Sequence, residues 1–248
     1  MKKIGFILLL IHILLIYDLN STPNRSVIGY TVSKLPISLY KFGYGKDLLL
    51  IVAGIHGNEE NTVKTANILI DKVSLGEIVV PSHKSLWVIP SLNPDGLARG
   101  RRVNNNNVDL NRNFLTKKWQ SSYFFFNTKL SAGENPFSEL ETIAIKNLLE
   151  EIKNEFNIVS LSLHSSGNTV LPGGDEGYNK SLLKIVMKNS SYSYDGIGYD
   201  TFGDLTRWLE EKHSISSITI EFKSKKESDY NNIKKIVRAL LKIDFLES

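Results

Sequence analysis

Two imidazoles and one carboxylate are enough to hold a metal ion, and the stretch GIHGNEEN supplies two of the three. His56 and Glu59 lie three residues apart there, where an apolar run gives way to a helical pattern. At such a turn both side chains can face one point, and Gly54 and Gly57 let other backbone come close. His164 stands in SLHSSG, again where an apolar run ends. His-Glu-His is the ligand set of a catalytic zinc ion, with a fourth position open for water. We therefore expect one zinc per chain on His56, Glu59 and His164. Glu60 is the neighbouring acid, but one step along a helix turns it about a third of a turn away. Glu221, in ITIEFK, follows another apolar run, where an unpaired acid is costly. Beside a water activated by metal it has a use: to accept a proton and deliver it to a leaving amine. His83 sits in a PSHK turn, and His213 ends a helical pattern where a cation suits the dipole. Neither shares this setting, and His12 lies in the apolar N-terminal run.

A second cluster lies in NPDGLARGRRVNNNNVDLNRNF, from Asn93 to Phe114. The stretch is too polar for a core strand and too rich in turn formers for a long helix. Arg99, Arg101, Arg102 and Arg112 give it four planar cations. A folded loop with several guanidinium groups takes an anion, often a carboxylate held by two hydrogen bonds at once. The alternative is a solvated surface loop.

The elements that must position these groups are legible as patterns. DLLLIVAGI, SLWVIPSL, NIVSLSLH and SISSITIEF read as strands, the first buried on both faces. VIGYTV and ISLYKFG read as edge strands. Helical patterns run from Glu60 to Val73, through SELETIAIKNLLEEIK, from Lys180 to Lys188, through GDLTRWLEEKH and through NNIKKIVRALLKI. Ser138 and Glu141 have the spacing of a capping box. Alternating strands and helices predict an α/β fold with a doubly wound, mostly parallel mixed sheet flanked by helices, in a single domain. Ligands of such sheets collect beyond the carboxyl ends of the strands. His56, the arginine loop, His164 and Glu221 all fall there.

Composition narrows the class. The 248 residues carry a net charge of +4 without a dense basic block, so no nucleic-acid partner is expected. There is no cysteine, which excludes disulfides, a thiol nucleophile and thiolate metal ligands. Residues 1–22 begin with two lysines and an apolar run from Ile4 to about Tyr17, the length and polarity of a signal peptide and short for a spanning helix. The expectation is an exported protein, periplasmic or secreted, with this segment either cleaved or retained as a membrane anchor. No oligomeric state can be read from these patterns.

Together HGNE, NPDG, VDLNRNF, SLH and TIE resemble the zinc carboxypeptidases of the metallocarboxypeptidase A superfamily, in order and spacing across residues 27–248. NFLTKKWQ and PFSELET resemble its bacterial branch of murein peptide amidases, which trims cell-wall peptides. The resemblance implies that His56, Glu59 and His164 bind zinc and that Glu221 is the general base and acid. It implies that Arg102 stabilises the oxyanion, with Arg101 adjacent, and that Asn111 and Arg112 grip a terminal carboxylate. Tyr199 matches a tyrosine that closes over substrate, with Tyr178 and Tyr194 nearby. Two features depart from the pattern: Asn107 stands where relatives carry glycine, and SSYFFFN is unusually aromatic. The activity implied is hydrolysis of an amide near the C-terminus of a small peptide, most specifically the γ-D-glutamyl-diaminopimelate bond of a muropeptide. The alternatives are a general carboxypeptidase, an N-acyl amino acid deacylase and a non-catalytic peptidoglycan-binding protein. The arginine loop argues against the deacylase, and the complete ligand set with Glu221 argues against the non-catalytic reading.

Overall fold

The computed structural model describes residues 23–174, 180–194 and 201–245. In chain order the strands are β1 (Asn24–Tyr30), β2 (Pro36–Gly43), β3 (Asp47–Val52), β4 (Lys84–Ile89), β5 (Ser122–Phe125), β6 (Thr128–Ser131), β7 (Asn157–Ser165), β8 (Thr169–Pro172) and β9 (Ser216–Phe222). The helices are α1 (Glu60–Ser74), α2 (Pro94–Arg99), α3 (Leu140–Ile152), α4 (Lys180–Lys188), α5 (Leu205–His213) and α6 (Tyr230–Leu240). Seven strands form one sheet in the order β1-β2-β4-β3-β7-β9-β8. The inner four, β4, β3, β7 and β9, are parallel, and the outer pairings are antiparallel. The predicted α/β fold with a mostly parallel mixed sheet is the fold observed.

β3 explains why an unbroken apolar run was needed. Successive side chains point to opposite faces of a strand, and both faces here are covered. Leu49 and Ile51 pack with Ala66, Leu69 and Val73 of α1 and with Ile233, Ile236 and Val237 of α6. Leu48, Leu50 and Val52 pack with Ile145, Leu148 and Leu149 of α3 and with Leu205, Trp208 and Leu209 of α5. A strand between two helical layers has no face left for polar side chains, so the chemistry moves to its end.

Several expectations needed correction. β2 is not an edge strand, since β4 pairs with its free side. The edge role falls to β1 and to β8, a short strand that the sequence pattern did not reveal. The aromatic SSYFFFN stretch folds into the two-stranded hairpin β5–β6. His213 packs edge-on against Trp208, and burial together with Lys153 lowers its pKa, which favours the neutral ring over the expected cation. Among the described residues no helix is long and apolar enough to cross a membrane. Residues 1–22, for which a signal peptide or membrane anchor is expected, lie outside the described residues.

The capping box at Ser138 and Glu141 does not form. α3 starts at Leu140, and Ser138 Oγ donates to Glu139 Oε1 at 2.8 Å. The acceptor at the helix start comes from the loop: Asn113 Oδ1 takes the Glu139 N–H at 3.3 Å and the Thr142 hydroxyl at 2.7 Å. Glu141 is turned inward onto Asn104, and burial pushes its pKa up to about 7, so it is a poor partner for a helix N-terminus. Asn113 also donates to the carbonyls of Ala132 and Asn135. Asn113→Ala should therefore lower the unfolding free energy by about 2–4 kcal/mol, because each buried partner left unsatisfied costs about 1–3 kcal/mol. Ser138→Ala should cost about 1 kcal/mol or less. Urea denaturation of the two variants checks the order, and a larger loss for Ser138→Ala would return the cap to that residue.

Candidate metal centre and active site

The sheet brings the three expected metal ligands to one point. His56 and Glu59 occupy the turn between β3 and α1, and His164 is the next-to-last residue of β7, the strand beside β3. One ligand atom from each lies within 4.8 Å of the others, and all three side chains are buried. Nδ1 of His56 is 3.0 Å from Glu59 Oε1 and 3.0 Å from His164 Nδ1. His164 Nδ1 is 3.1 Å from Glu59 Oε2, which also accepts the Ser165 N–H at 3.1 Å. Two imidazole nitrogens facing one another beside a carboxylate are poor partners for each other and good ones for a cation. The donor set fits zinc. Burial would raise the Glu59 pKa, but His56 and His164 hold it below the usual range. Burial and Arg102 oppose a charge on His56, yet Glu59 and Asp109 outweigh them and raise its pKa. Glu60 is exposed and outside the group.

The opposite nitrogens are held from behind. His56 Nε2 is 3.1 Å from Asp109 Oδ1, and His164 Nε2 is 3.4 Å from Asn111 Nδ2. The Asp109 carboxylate accepts from His56 Nε2–H, which orients that ring and leaves Nδ1 free for a metal. Asp109 is fully buried and takes four donors: His56, the Asn111 N–H at 2.9 Å, Arg102 Nε at 2.8 Å, and the Tyr123 hydroxyl. Burial works against its charge, but Arg102, His56 and Arg112 keep the carboxyl well below the ordinary carboxylate range. Tyr123 is pushed up, first by burial and then by the Asp109 charge, so it stays a donor. Asp109 and Tyr123 were assigned no role from sequence. The signal for Asp109 was its place in VDLNRNF; nothing in SSYFFFN separated Tyr123 from its aromatic neighbours.

The loop is held against the metal turn by an amide. Asn93 Nδ2 donates to Ile55 O at 3.2 Å and Arg102 O at 3.4 Å, and Asn93 Oδ1 accepts the Gly96 N–H at 2.8 Å. A Cβ on Gly57 would lie 2.0 Å from the Gly96 carbonyl carbon, so HGNE and NPDG meet at a contact only glycine permits. Asn107 has φ 60°, the left-handed turn that its position demands. Of the four arginines, Arg99 and Arg101 are exposed, whereas Arg102 and Arg112 line the cleft. Arg102 Nη1 lies 3.9 Å from Glu59 Oε1. Arg112 is 2% exposed, donates from Nη1 to Asn111 O at 2.7 Å, and has no hydrogen-bond partner at Nε among the described residues. A guanidinium that lines a cleft beside a second one, Arg102, is suited to an incoming anion.

The cleft holds about 480 Å³ and is bounded by the metal turn, the arginine loop, the end of β7, β8 and β9. Glu221 faces it from β9, in register with His164 on β7. Burial raises the Glu221 pKa, with Glu59 adding to it and His164 opposing. Phe125 and Phe126, from the hairpin, form part of the wall, and Arg102 Cζ lies 4.5 Å from the Phe125 ring centre. Tyr199 and Tyr178 lie outside the described residues, and Tyr194 packs against the hydrophobic core.

The zinc carboxypeptidase family matches residues 18–195. The chain belongs to that family. It is accordingly a zinc-dependent hydrolase, and His56, Glu59 and His164 are the residues grouped to hold the metal. Murein peptide amidase A of Escherichia coli K12 is 34% identical over 182 residues, 70% of either chain. The Vibrio campbellii protein of the same name is 28% identical over 208 residues, 80% of this chain and 77% of that one. The crystal structure of murein-tripeptide amidase MpaA from Escherichia coli O157 superposes with a TM-score of 0.69 at 25% identity, covering 90% of this chain and 93% of that one.

For this zinc carboxypeptidase, His164→Ala should bring zinc content to near zero. Asp109→Asn should keep the fold and weaken zinc binding by about 10–100-fold, as loss of a partner behind a ligand does. Chelator competition followed by metal analysis measures both. Unchanged zinc affinity in Asp109→Asn would mean that His56 needs no partner behind it.

Proposed function

We propose that this chain is an exported zinc metallopeptidase that cleaves murein peptides at the γ-D-glutamyl-diaminopimelate bond. The observation that carries the reading is one cleft lined by Arg102, Arg112, Glu221 and the His56 and Glu59 members of the His-Glu-His set. A cation placed there holds a terminal carboxylate and presents the adjoining amide to the metal side. The muropeptide assignment is supported by the relatives named murein peptide amidase A. Export is supported by the basic and apolar N-terminal pattern, which serves as a cleaved signal or as a membrane anchor.

Zinc on His56, Glu59 and His164 supplies Lewis acidity toward the scissile carbonyl and makes water easier to deprotonate. The remaining work belongs to the protein's own side chains. Glu221 accepts the proton of the attacking water and passes it to the leaving amine. Burial raises its pKa, which makes it a stronger base for the first transfer than an exposed carboxylate. Arg102, fixed through Nε to Asp109, turns its remaining donors toward the developing oxyanion. Asn111 and Arg112 hold the substrate's terminal carboxylate, and Tyr199 is the tyrosine assigned to close over it.

The direct test incubates the zinc-loaded protein with L-Ala-γ-D-Glu-diaminopimelate and with ordinary α-linked peptides, identifying products by mass spectrometry. Free diaminopimelate should appear, and in Glu221→Gln its release should fall by about 10²–10⁴-fold with zinc retained. Cleavage of α-linked peptides alone would sink the muropeptide assignment. Arg112→Ala should lower kcat/KM about 10–100-fold for substrates with a free terminal carboxylate, since a charged hydrogen bond contributes about 1.5–3 kcal/mol. Amidated substrates should lose much less. Equal losses would make Arg112 a structural residue.

A further inference from the structure

Besides Arg102 and Arg112, a lysine lines the cleft: Lys225, in the loop after β9. Arg102 is fixed to Asp109 and Arg112 to the Asn111 carbonyl. Lys225 is exposed, and among the described residues its ammonium group has no hydrogen bond or ion pair. A solvated lysine is ordinary on a surface; the backbone beneath this one is not. Asn61 is 2% exposed and donates from Nδ2 to Ser224 O at 2.5 Å and to Glu227 O at 3.3 Å. These bonds bracket Lys225. Asn61 Oδ1 accepts the hydroxyl of Ser165, the residue after His164, at 2.9 Å. Further along α1, Thr65 Oγ1 accepts the Asp229 N–H at 3.0 Å and lies 2.9 Å from Ser228 Oγ. The loop is thus fastened to the helix that begins beside Glu59, and the root of Lys225 is fixed relative to the metal ligands.

Lys225 and Arg112 enter the cleft from opposite faces of the sheet. The Arg112 backbone lies against Gly203, just before α5, on one face. The Lys225 loop leads to α6 and is tied to α1, which both pack on the other. His56, Glu59, His164 and Glu221 stand at the strand ends between these layers. A peptide with its terminal carboxylate on Arg112 and its scissile carbonyl on the metal side therefore runs on toward Lys225. The group that arrives there belongs to the residue supplying the scissile carbonyl. In an α-linked peptide without an acidic side chain that group is neutral. A γ-linked glutamyl residue instead keeps its α-carboxylate free, two methylene groups away from the carbonyl. A flexible four-carbon stem lets a lysine ammonium reach across such a span.

We propose that Lys225 is a specificity-determining residue that pairs with a carboxylate on the residue supplying the scissile carbonyl, as the α-carboxylate of a γ-linked glutamate does. The proposal rests on the reading of the enzyme as a γ-D-glutamyl amidase and adds the recognition of the glutamate itself.

The test compares kcat/KM of the zinc-loaded protein on L-Ala-γ-D-Glu-diaminopimelate and on its α-carboxamide, L-Ala-D-isoglutaminyl-diaminopimelate. The two differ only in that charge. An α-linked pair, L-Ala-L-Glu-diaminopimelate and L-Ala-L-Gln-diaminopimelate, runs beside them. The carboxylate member should be favoured about three- to tenfold, between the effect of an exposed ion pair and that of a charged hydrogen bond. Raising monovalent salt from about 0.05 to about 0.5 M should shrink the ratio, since exposed charges are screened. Lys225→Met and Lys225→Gln should bring it to near one, and Lys225→Arg should keep most of it. Equal rates within each pair in the parent, or a carboxylate preference that survives in Lys225→Met, overturn the proposal; the muropeptide reading then stands as long as the γ-linked substrates are cleaved. A preference confined to the α-linked pair, with the γ-linked pair uncleaved, keeps the carboxylate partner and overturns the muropeptide reading. Cleavage of neither pair overturns both.

Discussion

One buried carboxylate organises the active site. Asp109 is out of contact with solvent, so its charge must be met within the protein. The four donors that meet it come from three different parts of the chain: the metal turn through His56, the arginine loop through Arg102 and Asn111, and the aromatic hairpin through Tyr123. Each has a second task. His56 must present Nδ1 to a metal, Arg102 must face the cleft, and the Asn111 backbone starts the turn that aims Arg112. Breaking any one contact leaves Asp109 under-compensated, so these tasks are linked through one desolvated charge. Buried polar networks of this kind are stable only when every member is satisfied.

The amides in the loop follow from the same demand. A segment this rich in polar groups could not lie against two strand ends unless its backbone were satisfied locally. Asn93 joins it to the metal turn, and Asn113 joins it to the start of α3. Asn104 accepts the N–H groups of Asn106 and Val108, and donates to Glu139. Asn111 reaches from His164 to the backbone of Leu205. Four asparagines thus turn a polar loop into a rigid wall. Asn is suited to this because its side chain both donates and accepts.

The cleft is electrically divided. Arg102 and Arg112 give one wall positive charge, while Glu59, Glu221 and Asp204 stand around the rest. The hairpin screens the cations with rings: Phe125 lies over Arg102, and Tyr123 lies 4.9 Å from Arg112 Cζ. Rings at these positions exclude water without competing for the guanidinium donors, which keeps electrostatic attraction in the cleft strong.

The sequence by itself determined the layered sheet and the identity of the metal-binding group. Leu48 to Val52 are apolar on both faces, and only a strand covered by helices on either side accommodates that. His56 and Glu59 are close in sequence at a strand end, so their convergence was a matter of local geometry. His164 could be added because its strand had to be parallel and its end had to lie on the same edge. The tertiary structure decided what depends on contacts between distant segments. Whether Arg101 or Arg102 faces the cleft turned on which one reaches Asp109. The cap of α3 went to Asn113 rather than Ser138 because the loop folds back on the helix start. Tyr123 gained its role when a hairpin turned it onto Asp109, and the backbone at Gly203 came to lie against that of Arg112. Periodicity and motif spacing describe each segment alone; which donors a buried charge collects is fixed only when the segments pack together.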